Sequence, residues 1–157
     1  MAQDRASLKV EGLEEINQIL NGISNSISKE ALDGALSGAE LIQGEARKLI
    51  AKESKGEKGW SYREGGNKVP HTTSIPGDAP NTDTGTLKKS VMVEPVPGKG
   101  AKVGSSLKYA RALEFGYAPN NLEARPFLIP AFESQKKDVM KLIKQAVTGT
   151  LVKYDRK

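Results

Sequence analysis

A chain of 157 residues with 37% hydrophobic content has room for one domain and one modest core. With one Trp, four Tyr and three Phe, that core must be mainly aliphatic, and the absence of cysteine excludes disulfides, iron–sulfur clusters and thiolate zinc sites. Residues 1–10 carry charges of both signs without an apolar leader segment, and no apolar run reaches the roughly 18 residues of a membrane span, so the expectation is a protein made and kept in water, with no membrane contact.

The net charge of +5 is unevenly spread. Residues 1–50 hold 5 Lys/Arg against 8 Asp/Glu, residues 51–82 hold 5 against 4, and residues 83–157 hold 14 against 7. An acidic start and a basic end suit head-to-tail pairing of copies, or a place beside a polyanion.

In chain order, residues 7–11 alternate Leu8 and Val10 with Lys9 and Glu11, as a short half-buried strand does. Gly12 then caps a helix whose start is favoured by Glu14 and Glu15. Leu13, Ile16, Leu20, Ile23 and Ile27 form one stripe along it. The Asn and Ser residues of 22–28 compete for backbone hydrogen bonds and predict a break there. A second helix with Leu32, Ala35, Ala39, Ile42, Ala46 and Leu49 on one face follows, and packing on a sheet explains both stripes better than a coiled coil. Residues 52–82 lose all periodicity, contain Pro70, Pro76 and Pro80, and read as a long mobile excursion without an element, ordered by a partner.

After a turn capped by Asp83 or Thr84, the extended runs 90–96 and 101–105 flank Pro97-Gly98-Lys99-Gly100, the pattern of a β-hairpin. Tyr109, Ala112 and Leu113 share a helical face that Gly116 ends. Pro130 suits the first position of a last helix carrying Phe132, Val139, Ile143 and Ala146, and residues 150–154 read as an edge strand or a frayed end. The fold class is therefore α+β: a small, mainly antiparallel sheet packed with two to three helices, in one domain spanning 1–157 with a long flexible loop insertion at 52–82.

Few residues suggest chemistry. His71 is the only histidine, and although Asp78 or Asp83 with a serine would complete an acid–base set, no Gly-x-Ser-x-Gly elbow accompanies it. No acidic cluster suits Mg²⁺, and the glycines around Lys99 match no phosphate-binding pattern, so no catalytic, metal or cofactor residue is assigned. Trp60, Tyr62 and Arg63 combine aromatic and basic character; stacking on a base is one reading, and anchoring the loop against the domain is the simpler one. Core logic asks neither for Glu114 between Leu113 and Phe115 nor for Arg125 before Pro126 and Phe127, and a Glu114–Arg125 pair fixing the loop between two elements accounts for both.

The run Tyr109-Ala-x-x-x-Glu114-Phe115-Gly116, followed by Ala124-Arg125-Pro126-Phe127-Leu128-x-Pro130-Ala131, resembles the signature of a family of tailed-phage morphogenesis proteins. These are the tail completion or head–tail joining proteins named after gene product ten of a lambdoid phage. Asp83-Thr84-Gly85-x-Leu87-x-x-Ser90 and Leu8-x-Val10-x-Gly12-Leu13 resemble two upstream elements of the family, while Tyr117 departs from its pattern, which often has Thr there. The resemblance implies a structural virion protein rather than an enzyme. Copies would form a six-fold ring at the neck, between the tail terminator or tube and the head connector or stopper. Genomic DNA would pass through the ring without specific binding. It further implies that Tyr109, Glu114, Phe115, Gly116, Arg125, Pro126 and Phe127 shape the protomer or its interfaces, and that the loop with Trp60, Tyr62 and Arg63 meets a partner. The rival readings are a small basic DNA-binding or packaging-associated phage protein, and another tail role such as tail terminator or minor tail protein.

Overall fold

The computed structural model describes residues 13–62 and 64–155; the strand expected at 7–11, and Arg63, lie outside them. The architecture is α+β. Helix α1 (Leu13–Ala51) leads to the hairpin β1 (Lys58–Tyr62) and β2 (Lys68–Thr72). A short α2 (Thr86–Ser90) enters the second hairpin, β3 (Val91–Val96) and β4 (Gly100–Ser105). Then come α3 (Ala110–Phe115), a 3-10 turn at Ala118–Asn120 and the long α4 (Leu128–Asp155). Each pair of strands is antiparallel and stands alone, so two ribbons replace the single sheet expected from the sequence.

The largest difference is in α1. Its 39 residues run without the break expected at 22–28 and extend about 58 Å. The apolar stripe stays in register through that stretch, and Ser26 turns its hydroxyl to the hydroxyl of Tyr154 on α4, 2.9 Å away. Gly22 touches nothing and costs only the roughly 1 kcal/mol of a helical glycine. Helix α4 lies antiparallel along α1, and this pairing is the most extensive contact in the molecule. It is close because two glycines permit it: a Cβ on Gly34 would lie 3.1 Å from the Ile143 Cα, and one on Gly38 would lie 2.7 Å from the Val139 Cγ1. Residues 150–154, expected as strand or frayed end, complete α4, with Thr150 buried.

The C-terminal half of α1 also covers the second hairpin, so one helix serves both partners. The core there is Ile42, Ala46 and Ile50 of α1 with Leu87, Val91, Ala110, Phe127 and Ala131. The carbonyl of Val91 accepts from Gln43 Nε2 (2.9 Å) and from an Arg47 terminal nitrogen (2.8 Å), tying the start of β3 to α1. The turn before α2 is held by Thr84, whose hydroxyl accepts from the Thr86 amide at 3.2 Å. Gly85 is the N-cap residue, and Asp83 turns away to Ser61.

The excursion at 52–82 contains an element after all, the β1–β2 hairpin, and its base is stapled to itself. Asn81 accepts from the Ser54 amide (2.6 Å) and donates to the carbonyls of Ser54 and Thr72 (both 2.8 Å). The Thr82 hydroxyl donates to the Ile50 carbonyl at the end of α1. Gly56 is required by the same staple, because a Cβ there would fall 2.0 Å from the Thr73 oxygen. Short β propensity spread across Trp60, Tyr62 and Val69 gave little periodicity to read, whereas the polar staple stabilises the ribbon through bonds no pattern displays.

Candidate functional site

The joint between α3 and α4 gathers the residues that the sequence marks as unusual. Glu114, 5% exposed, sits at the end of α3 and points its carboxylate at the start of α4. One oxygen accepts from the amides of Phe127 (2.9 Å) and Leu128 (3.0 Å), and the other accepts from the amide of Ile129 (2.8 Å). An α-helix leaves its first four N–H groups without partners. In α4 three of them are met by Glu114, and the fourth position is Pro130, which has no N–H. The negative charge also meets the positive end of a 28-residue helix. This corrects the expected Glu114–Arg125 pair: among the described residues no ion pair joins them. It also corrects the position of Pro130, which is third in the helix rather than first.

Arg125 does a different task. Its guanidinium donates to the carbonyls of Ser74 (3.3 Å) and Glu123 (2.9 Å), and its amide donates to the Leu113 carbonyl. The Gly77 amide in turn donates to the Ala124 carbonyl at 2.8 Å. Arg125 thereby clamps the segment after the first hairpin to the α3–α4 joint. Pro126 leads Phe127 into the core, where its side chain is wholly buried. Gly116 has φ +78°, and a Cβ on it would lie 2.9 Å from the Leu122 oxygen. Only glycine lets residues 117–124 fold back over α3, closed by paired bonds between Tyr117 and Leu122.

The aromatic members of the motif behave differently from Phe127. Phe115 is 66% exposed, and Tyr109 and Tyr117 also stand about half in solvent. Tyr109 and Arg125 both line a cleft of about 360 Å³ shared with His71, Asp83, Thr84 and Leu113. The Asp83 carboxylate at its wall accepts from the Ser61 hydroxyl (2.6 Å), and the His71 Nδ1 lies 3.9 Å from the same carboxylate. Serine and histidine therefore converge on one acid, and the serine proton is directed to Asp83 instead of the imidazole. Among the described residues no group of three His, Asp or Glu is placed to hold a metal ion, and no helix is long and apolar enough to cross a membrane.

Trp60 and Tyr62 do not anchor their loop: they are 63% and 68% exposed. Strand alternation puts them on one face of the β1–β2 ribbon with Lys58, opposite Pro70 and Lys68. The Lys68 ammonium sits 5.4 Å from the Tyr62 ring. The other face, with Ser61 and His71, is the one held to the domain through Asp83. The two-residue spacing was visible in the sequence; which face the domain would take depends on Asp83, far along the chain. Compared with known proteins, the chain matches no family model, no curated protein and no solved structure.

Proposed function

We propose that this chain is a structural, non-enzymatic protein of a tailed-phage virion, one that completes the tail and joins it to the head connector as a closed ring of copies at the neck. The observation that carries this reading is the paired signature at 109–116 and 124–131, with its resemblance to the tail completion family. Its buried members, Glu114 and Phe127, form the capped joint, and its exposed members, Phe115 and Tyr109, each leave aromatic surface in solvent. A joining protein needs both: a rigid protomer, and apolar anchors left for other proteins of the virion. The first hairpin adds a second exposed aromatic surface at Trp60 and Tyr62, suited to the tail terminator or tube on one side or the connector or stopper on the other.

The test is electron microscopy of lysates from the encoding phage with this gene deleted, beside a complemented control. Filled heads next to detached tails, rescued by the gene, are the expected result. Intact infectious virions would end the neck reading.

One observation favours a DNA-contacting reading: Lys58, Trp60, Tyr62 and Lys68 interleave cations and aromatic rings on one exposed face. A salt titration of binding to duplex and single-stranded DNA separates the two. A channel protein binds weakly and loses binding steeply with salt, whereas sub-micromolar affinity at physiological salt would favour the rival.

A further inference from the structure

The second hairpin is a ribbon of two strands, and its two outer edges are not alike. Pro95 has no N–H, so it holds a place on β3 where the ladder to β4 uses no donor. Antiparallel pairs alternate between bonded and non-bonded, so Val91 and Val93 share that outward orientation, and so do their partners Ser105 and Val103 and the Pro95 partner Ala101. The Val91 carbonyl agrees with this, because it is bonded from α1 by Gln43 and Arg47. The outer edge of β3 is thus poorly suited to a further strand: one carbonyl is taken, and Pro95 offers no donor. On β4 the outward backbone groups of Ala101 and Val103 bond to nothing among the described residues.

That free edge opens on an apolar groove of about 440 Å³, lined by β4, α1 and the start of α4 and by no residue of β3. Ala101 and Val103 form one side and Ala39 and Ile42 another. Ile129 and Phe132 complete it, 51% and 43% exposed. Unpaired backbone beside half-open apolar side chains fits an extended segment whose apolar residues alternate. Residues 7–11 have that alternation, with Leu8 and Val10 apolar and Lys9 and Glu11 charged. Their own β4 is out of reach. A Cβ on Gly100, where β4 starts, would lie 3.6 Å from the Ala35 Cβ, and the rest of β4 runs on toward Gln43 and Arg47. From Leu13, the tip of α1, to Ala35 the helix covers about 33 Å. Fully extended, the chain from residue 7 to Leu13 spans about 21 Å at most, which leaves it about 12 Å short.

We propose that residues 7–11 of one copy add as a third strand to the outer edge of β4 in a second copy of this same chain. The added strand pairs with Ala101 and Val103. Leu8 and Val10 enter the groove over Ile129 and Phe132, while Lys9 and Glu11 stay in solvent on the side of Lys102, itself exposed. Because two different surfaces meet, the contact is heterologous and propagates from copy to copy until it closes or forms a filament. Closure into a ring rests on the neck reading above; the contact itself rests on the β4 edge and on the reach of the segment.

The test is sedimentation velocity of the purified full chain, with circular dichroism to check helix content. Wild-type protein is expected to associate as its concentration rises. Leu8→Asp with Val10→Asp, which puts charge into the groove, should weaken association at least tenfold. Ala101→Pro, which removes an outward donor and spares the ladder, should do the same. A mixture of the two variants should form dimers and nothing larger, because one supplies only a working segment and the other only a working edge. Hydrogen exchange gives a second readout that does not depend on how Ala101→Pro folds. At associating concentrations the amides of Ala101 and Val103 should exchange at least tenfold faster in the Leu8→Asp, Val10→Asp variant than in wild type. Those of Lys102 and Gly104, bonded to β3, should change little. A wild-type monomer at every concentration, or association and exchange indifferent to the aspartates, would overturn the contact. So would protection of Ala101 and Val103 that depends on Leu8 and Val10 in a chain that stays monomeric, since the segment would then be on its own β4. The two readings fail separately. A monomeric wild type removes this contact and leaves the neck reading in place, whereas dimers from the mixture in a chain whose deletion leaves virions intact keep the contact and remove the neck reading.

Discussion

At the scale of single residues, the organising group is the Glu114 carboxylate. It serves three backbone amides that α4 cannot satisfy within itself. Removing a capping acceptor costs about 0.5–2 kcal/mol, and stranding buried amides adds to that. Glu114→Ala should therefore destabilise the chain by about 3 kcal/mol, whereas Glu114→Gln, which keeps one acceptor oxygen, should cost about half as much. Urea unfolding checks this, with the transition midpoint falling and its slope unchanged. Equal midpoints for wild type and Glu114→Ala would mean that the cap is idle. The importance of Glu114 was legible, since an acid between Leu113 and Phe115 has no place in a simple core. Its partner was not, because Arg125 advertises a charge in the sequence while three backbone amides advertise nothing. Pro130 was the available clue: a residue without an N–H fits anywhere in the first turn, so it marks a helix start without fixing which position it holds.

At the scale of elements, the α1–α4 pairing turns on Gly34 and Gly38. In an exposed helix, Gly→Ala is stabilising by about 1 kcal/mol. At Gly38 the new methyl would meet Val139 at 2.7 Å, so the sign should reverse and Gly38→Ala should destabilise by about 1–3 kcal/mol. Val139→Ala removes the obstructing methyls, and the double variant should be less destabilised than the sum of the two single ones. A double-mutant cycle measures this directly; strict additivity would show that the two helices do not press together at that point. Stripe spacing made the helical faces and α4 readable, and the Pro97-Gly98-Lys99-Gly100 turn did the same for the second hairpin. The continuous α1 was missed because local Ser and Asn preferences suggested a break that α4, pairing with Ser26 through Tyr154, overrides. The first hairpin was missed because its base is fixed by Asn81 and Gly56 across the excursion, contacts that leave no periodic trace.

At the scale of the whole molecule, the parts fall into a rigid centre and exposed extremities. The centre is the core around Phe127 and Val91 with the Glu114 cap. The extremities are the α1 tip, the Trp60–Tyr62 face and the Phe115 surface, each apolar or aromatic and each in solvent. That division suits a protein whose work is to be held between others. The division itself could not be read in advance, because exposure depends on where α4 ends along α1 and on which face of the ribbon Asp83 takes.

Whether this chain joins tails to heads is tested most directly by adding the purified protein to a lysate of the encoding phage that lacks the gene, then counting infectious particles. For a joining protein, titre should rise by orders of magnitude as free heads and tails become joined virions. Trp60→Ala with Tyr62→Ala, folded normally, should restore far less. A lysate that is already fully infectious without the protein, or one that stays uninfectious after folded wild-type protein is added, would contradict the joining role.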